Sequence, residues 1–483
     1  MRLQLALSSF VCLYVSASPT KRATTGYSSK GMVAFGLLPS NARDSTGTTI
    51  GGIGSAIAIK RGTWARSADG KSYSGTFIVQ PDRGYNVEGT VDYQARQHEL
   101  AFTLLPYNGT TSLSFANAQK TLNLTYVSTK LYTERSGKAT TGLDSLDVRP
   151  ANGSDPIMPV PSVKNKNNLS MDSESLVLNS DGSFFVGEEY GAYIYKYNAD
   201  GSLNFVIQPP AAVIPMINGA VNFTSQVDPD TGRAANAGFE SLTASPDGTK
   251  LYAMLQGALM QDGADGEDDG GEDRYVRVFG WNISATTHTL TGEWVVPLPQ
   301  TKKGKTITQN EIHYLDGSKF LVLSRDGHGN GDDTSASNYK SIDYFDISGA
   351  TNIAGSKYDT ATTGVAPSGD LVSSVTPAVY TAFVSMIDPV QLARFGLHNG
   401  GNFNSTLIDG KWESLALAPA LDPANPDDYF LFTAADNDFI TLDGTMVGQP
   451  YSSDYGSNVD NQFMVFLVTL PGLPAGSVAQ SIA

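Results

Sequence analysis

Four glutamates open four similar stretches of this chain. Glu174-Ser175-Leu176, Glu240-Ser241-Leu242, Glu311-Ile312-His313 and Glu413-Ser414-Leu415 each set a carboxylate at the head of an apolar run. A charge at the start of a strand bound for burial needs a physical reason. Carboxylates crowded together repel, and burial disfavours their ionised forms. They can take up protons, accept backbone N–H groups and so lock neighbouring units, or share a cation. An oxygen-only donor set suits a hard ion, calcium first and magnesium second. Locking and metal binding can coexist, with different glutamates in each role.

A second set of chemically capable residues ends the strand that follows each leader. It comprises Asp82-Arg83-Gly84, Glu188-Glu189-Tyr190, Gln256, Arg325-Asp326-Gly327-His328 and Asp436-Asn437-Asp438. A guanidinium forks onto phosphate or carboxylate oxygens, and a histidine exchanges a proton near neutral pH. The plainer alternatives are ion pairs of Arg83 with Asp82 and of Arg325 with Asp326. For His328, within the glycine-rich "DGHGNGDD", the plainer alternative is an exposed loop position. No Gly-x-Ser-x-Gly elbow, P-loop or His-Glu-x-x-His motif is present.

The elements that must position these groups are short strands. Asp-Gly turns recur at Asp69, Asp181, Asp200, Asp247 and Asp316, between runs rich in Val, Ile, Phe, Tyr and Thr. This is the pattern of hairpin-joined strands. Each copy reads leader, strand, turn, second strand, and the first three Glu copies are spaced about 70 residues apart. A fainter copy begins at Gly54, where the others have Glu. Four strands per repeat predict an all-β chain folded as a single β-propeller. Five blades are clear, and residues 371–397 are expected to hold a sixth, partly helical unit. A pair of β-sandwiches would not repeat a charged leader in this way. In a propeller the first strand lines the channel and the second returns to the same mouth, so both residue sets meet there.

Residues 1–17, with Arg2, an apolar stretch and Val15-Ser16-Ala17, read as a secretory signal peptide. Residues 18–30, containing Lys21-Arg22, read as a processed or flexible leader, and 31–475 as the propeller. The single cysteine, Cys12, falls inside the signal, so no disulfide, zinc-thiolate or thiol nucleophile is expected. Asn108, Asn123, Asn152, Asn168, Asn222, Asn282 and Asn404 open Asn-x-Ser/Thr sequons, which in an exported chain are glycosylation sites. With 32 basic and 48 acidic residues the net charge is −16. That charge disfavours nucleic acid and anionic membranes as partners. The expected state is a secreted monomer acting on a small anionic ester. The acidic run at 261–273 reads as a solvated loop, with adventitious calcium binding as the alternative.

At the leaders and strand ends the chain resembles the phytase-like family, named for the esterase-like activity of phytase. The resemblance rests on the Glu-Ser-Leu leaders at 174, 240 and 413, the "SPDG" turn, and "DRG", "RDG" and "DND" at the strand ends. Gly54 and Ile312 depart from the leader pattern. The resemblance implies a propeller and phosphoester hydrolysis. By analogy with calcium-dependent propeller phytases it implies calcium held by carboxylates, with arginine neutralising charge. Under that reading Glu174, Glu240, Glu311, Glu413, Asp82 and Asp436 are metal ligands. Arg83, Arg325, Asp326 and His328 are catalytic, and Glu189, Tyr190 and Asn437 bind substrate. Two other functions fit the same repeats: a calcium-dependent lactonase or carboxylesterase, and a non-catalytic binding propeller.

Overall fold

The computed structural model describes residues 26–86, 89–264, 273–284 and 288–473. The expected signal peptide, Lys21-Arg22 and Asp265, Glu267, Asp268, Asp269 and Glu272 of the acidic run lie outside the described residues. Five antiparallel sheets, each with four main strands, are arranged as a ring, and the first carries an added two-residue strand, Ala65–Arg66. Blade one is built from Ala56–Ile59, Tyr73–Gln80, Arg96–Leu104 and Leu122–Leu131, from the channel outwards. Blade two is Ser173–Leu178, Phe184–Glu188, Ile194–Tyr197 and Leu203–Ile207. Blade three is Phe239–Ala244, Lys250–Leu255, Tyr275–Asn282 and Thr289–Pro297. Blade four is Gln309–Asp316, Lys319–Arg325, Lys340–Asp346 and Val379–Ser385. Blade five is Lys411–Pro419, Asp428–Asp436, Asn461–Thr469 and, as its outer strand, Ser28–Leu38 from the other end of the chain.

The blade count is therefore five, not six. Residues 371–397 do not form a blade: Val379–Ser385 is the outer strand of blade four, and Pro389–Arg394 is a short helix. The wide sequence gap before blade five comes from insertion instead. Residues 347–378 lie along the outer strand of blade three, where Ile353 N donates to Glu293 O (2.8 Å) and Ala378 N to Val295 O (2.8 Å). That covers an edge which would otherwise present unpaired backbone groups. The ring is closed by Ser28–Leu38 on Asn461–Thr469, so the last residues of the expected leader belong to the sheet.

Three of the five Asp-Gly turns share one local cause. Asp181, Asp200 and Asp247 each accept the backbone N–H and the hydroxyl of the residue two positions on, Ser183, Ser202 and Thr249, at 2.6–3.0 Å. The intervening Gly182 adopts φ +83, a left-handed conformation that glycine reaches at least cost. Apolar faces meet between blades. At the closure, Phe77, Phe102 and Phe432 pack with centroids 4.0–5.7 Å apart. Nearby, Trp64 stacks on Tyr73 and donates to Pro419 O at 3.0 Å. Contacts of this kind contribute about 0.5–1.5 kcal/mol each beyond area burial.

Candidate functional site

The leaders reach the channel mouth because the inner strands bulge. In blade two, Ser173 and Ser175 pair with the adjacent residues Glu188 and Gly187, which leaves Glu174 unpaired. The same one-residue excess falls at Glu240 in blade three, Asn310 in blade four and Glu413 in blade five. A bulge re-aims the extra side chain, and here it does so at four equivalent places. The leader of blade four is thus Asn310, whose Nδ2 donates to Glu240 Oε1 at 2.9 Å. Glu311 falls one residue further on and belongs to a different layer. Its Oε1 accepts from Ile312 N (2.8 Å) and, across the blade boundary, Leu242 N (3.3 Å). It lines the channel below the mouth among Leu176, Leu242, Ile312 and Leu415, as a lock between blades.

Blade one has no leader side chain because there is no room for one. A Cβ on Gly54 would lie 2.0 Å from the carbonyl carbon of Ala435 and 2.1 Å from Asp436 N, at the ring closure.

Two clusters of carboxylates form at the mouth. Asp172, Glu174 and Glu189 bring one oxygen each within 4.8 Å of the others, and all three are buried. Asp82, Asp436 and Asp438 do the same. The peptide of Asp82-Arg83 joins them: Asp82 belongs to the second cluster, while Arg83 N donates to Asp172 Oδ1 at 3.1 Å. Arg83 Nη1 also lies 2.9 Å from Asp172 Oδ2. Burial, then Asp172 and Glu240, pushes the Glu174 carboxyl well above the usual range. Burial, then Glu240 and Asp172, does the same to Glu189. Burial raises Asp436 to about 7 against the pull of Lys411, and raises Asp82 with help from Asp436. Glu240 and Glu413 are also raised by burial, opposed at Glu240 by Asn310 and at Glu413 by Lys411.

Cationic groups stand among these acids. Lys411 Nζ is 2.9 Å from Asp436 Oδ2, 2.7 Å from Asp438 Oδ1 and 3.6 Å from Glu413 Oε1. Arg325 pairs with Glu413 rather than with Asp326, and Arg83 pairs with Asp172 rather than with Asp82. The Nε of each arginine is buried and has no protein partner. Arg325 also lines a cleft of about 490 Å³ with Gln256, Asp228, His328 and Asn338. His328, 37% exposed, faces that cleft with Nδ1 2.8 Å from Asp332 Oδ2.

Three other sequence-selected residues are committed to the fold. Asp326 accepts from Ser337 Oγ (2.7 Å), Asn338 N (2.7 Å) and Tyr339 N (3.2 Å) and holds the loop beside the cleft. Tyr190 is fully buried, with its hydroxyl donating to Gly142 O at 2.8 Å. Asn437 accepts from Gly52 N (2.9 Å) and Phe439 N (3.1 Å), and donates to Val459 O (2.7 Å). Glu189, by contrast, is 1% exposed with an Oε1 that has no donor.

Sequence reasoning missed Asp172, Asn310 and Lys411. A signal was present: Asp172 and Lys411 both stand two residues before a leader. The acidic run also held one misjudged residue. Asp262 is fully buried and bonds Arg277 through both oxygens, 2.6 and 2.9 Å from Nε and Nη2. Of the sequon asparagines, 108, 123, 152, 282 and 404 are exposed, while Asn168 and Asn222 are half-buried.

Fold and site together define a five-bladed propeller whose one mouth gathers carboxylates and cationic groups from several blades. The chain belongs to the phytase-like family, described by the esterase-like activity of phytase, which matches over residues 56–439. A protein of Arthroderma benhamiae, described as an uncharacterized secreted protein, is 37% identical over 470 residues, covering 88% of this chain and 90% of that one. Among solved structures, Sqt1 of Saccharomyces cerevisiae aligns at 8% identity, covering 92% of this chain and all of that one, with a TM-score of 0.27. The PQQ-bound aldose sugar dehydrogenase of Streptomyces coelicolor aligns at 10% identity over 91% of this chain and all of that one, with a TM-score of 0.26. Overlap at that level carries no argument about this chain. No helix among the described residues is long and apolar enough to cross a membrane.

Proposed function

We propose that this protein is a secreted, metal-dependent hydrolase of small phosphoesters, working at the carboxylate-lined mouth. One observation carries the reading: buried acids too numerous for their protein cations share that mouth with arginines that keep unspent donors. The donor set fits a hard cation. All the candidate ligands are oxygens, and Glu189 Oε1 and Glu240 Oε2 are buried without a hydrogen-bond donor. Calcium is the first choice and magnesium the second. Such an ion would supply charge neutralisation and a more acidic water.

The chain's own residues do the rest. Arg325, at the junction of the cleft and Glu413, orients the phosphoryl group and balances its charge through N–H donors. Arg83 does the same from the opposite side, held by Asp172 and by Ser225 Oγ at 3.1 Å. His328 faces the cleft where a leaving alcohol would sit, and exchanges a proton with its oxygen, oriented by Asp332. The cleft takes the organic part of the ester. Secretion is supported by the Arthroderma relative and by the apolar segment at the start of the chain.

The test is hydrolysis of phytate, a generic phosphomonoester, a lactone and a carboxylester by the purified chain, before and after chelation. Phosphoester turnover that is lost on chelation and restored by calcium is expected. Turnover of the lactone or carboxylester alone refutes the substrate class, and full phosphoester turnover after chelation refutes the metal dependence.

A further inference from the structure

The two acid clusters are the same construction with one residue changed in sign. Two positions before its leader, blade two has Asp172, while blade five has Lys411. The end of the second strand supplies acids to both clusters, Glu189 beside Asp172 and Glu174, and Asp436 and Asp438 beside Asp82; the blade-five leader Glu413 touches its cluster only through Lys411, at 3.6 Å. In blade five the lysine folds back into its own cluster, and its ammonium sits 2.9 and 2.7 Å from Asp436 and Asp438. That is where a bound cation would have to stand. Asp82 completes the group and accepts from Gly84 N at 3.1 Å.

Blade two has no such ammonium. Among the described residues its one ion pair is Arg83 on Asp172, and the buried guanidinium of Arg233 acts on Glu189 without an ion pair. Glu189 is 1% exposed and its Oε1 has no donor. Glu240, from the next blade and outside the cluster, is also buried, and its Oε2 likewise has no donor. Carboxylate oxygens buried without donors are costly unless something positive stands between them. Three acids outnumber the guanidiniums of Arg83 and Arg233 beside them, which leaves the cluster net negative.

We infer that Asp172, Glu174 and Glu189 hold one divalent cation, while the matching cluster of blade five is filled by the ammonium of Lys411 and takes none. The inference rests on the metal-dependent reading above and refines it. The ion's three ligands all come from blade two, at the ends of its first and second strands. Lys411 is spent on its own carboxylates, and Arg325 beside it keeps an Nε without a protein partner.

The experiment counts ions rather than turnover. The full chain, stripped with chelator and dialysed, is titrated with calcium alone by calorimetry, and bound calcium is measured by metal analysis. Wild type is expected to bind one ion per chain. Glu189→Gln is expected to weaken that binding at least tenfold, and Asp438→Asn to leave it unchanged. Lys411→Met is expected to bind two. If Lys411→Met does not fold, the contrast between Glu189→Gln and Asp438→Asn still decides. Two ions in wild type, one ion in a folded Lys411→Met, or an ion lost in Asp438→Asn and kept in Glu189→Gln overturns the assignment. Absence of any binding overturns it together with the metal-dependent reading. Phosphoester turnover by chelated protein that still shows the expected ion count refutes only that reading.

Discussion

Replacing Gly54 with alanine tests why one blade lacks a leader. The added Cβ would meet three backbone atoms of blade five: Ala435 C at 2.0 Å, Asp436 N at 2.1 Å and Ala435 O at 2.4 Å. None belongs to a side chain that can rotate away. The segment leading into the inner strand of blade one and the end of the second strand of blade five must separate, and this is the seam where the ring closes. Overpacking a well-packed core costs about 1–3 kcal/mol, and a clash with backbone alone belongs at the top of that range. A loss of about 3 kcal/mol shifts the folded-to-unfolded ratio on the order of 100-fold. The assay is urea denaturation, with the midpoint read at unchanged slope. Gly349→Ala is the control, because nothing lies within 4 Å of its Cβ and its φ is unexceptional. If Gly54→Ala unfolds within about 0.5 kcal/mol of wild type, then steric exclusion is not why blade one departs from the repeat.

Removing Arg277 should be as damaging. Its guanidinium, fully buried, bonds Asp262 and Glu293 and donates to Tyr358 O at 2.7 Å. Arg277→Met leaves two buried acids uncompensated and should cost about 3–5 kcal/mol by denaturation. Asn310→Asp sets a carboxylate against Glu240 in place of a donor. The variant should be less stable than wild type without calcium, and a denaturation curve that does not move would refute the contact. The metal-free chain should lose stability as pH rises. Burial raises Glu188 from 4.5 to about 8 and Asp436 from 3.8 to about 7. Between those limits the folded chain holds protons that the unfolded chain has released. Through these two groups the unfolding free energy falls as pH rises towards about 8. Ionised ligands bind the cation best, so calcium should raise the denaturation midpoint more at pH 7.5 than at pH 5.

The all-β class, the repeat and the mouth carboxylates Glu174, Glu240, Glu413, Asp82 and Asp436 were legible in the sequence because each depends on local pattern. Alternation makes strands, Asp-Gly makes turns, and a Glu-Ser-Leu repeated across the chain marks equivalent places in a ring. The blade count was not legible. Val379–Ser385 reads as a strand wherever it lies, and only its pairing with Lys340–Asp346 assigns it to blade four. The outer strand of blade five comes from the opposite end of the chain, and no repeat announces it. The leader of blade four is a matter of register. Glu311 matches the motif by residue type, but the bulge falls on Asn310 and turns Glu311 into the layer below.

From the sequence alone come the fold class, the carboxylates at the strand heads and ends, and the arginines beside them. Those follow from residue types at fixed spacing along a strand. Only the tertiary structure decided that Arg83 meets Asp172, that Arg325 meets Glu413, and that Lys411 fills one acid cluster while the other keeps Glu189 Oε1 bare. The reason is that a charge is compensated by whatever stands near it in space. In a ring, the nearest opposite charge comes from another blade as readily as from the next residue.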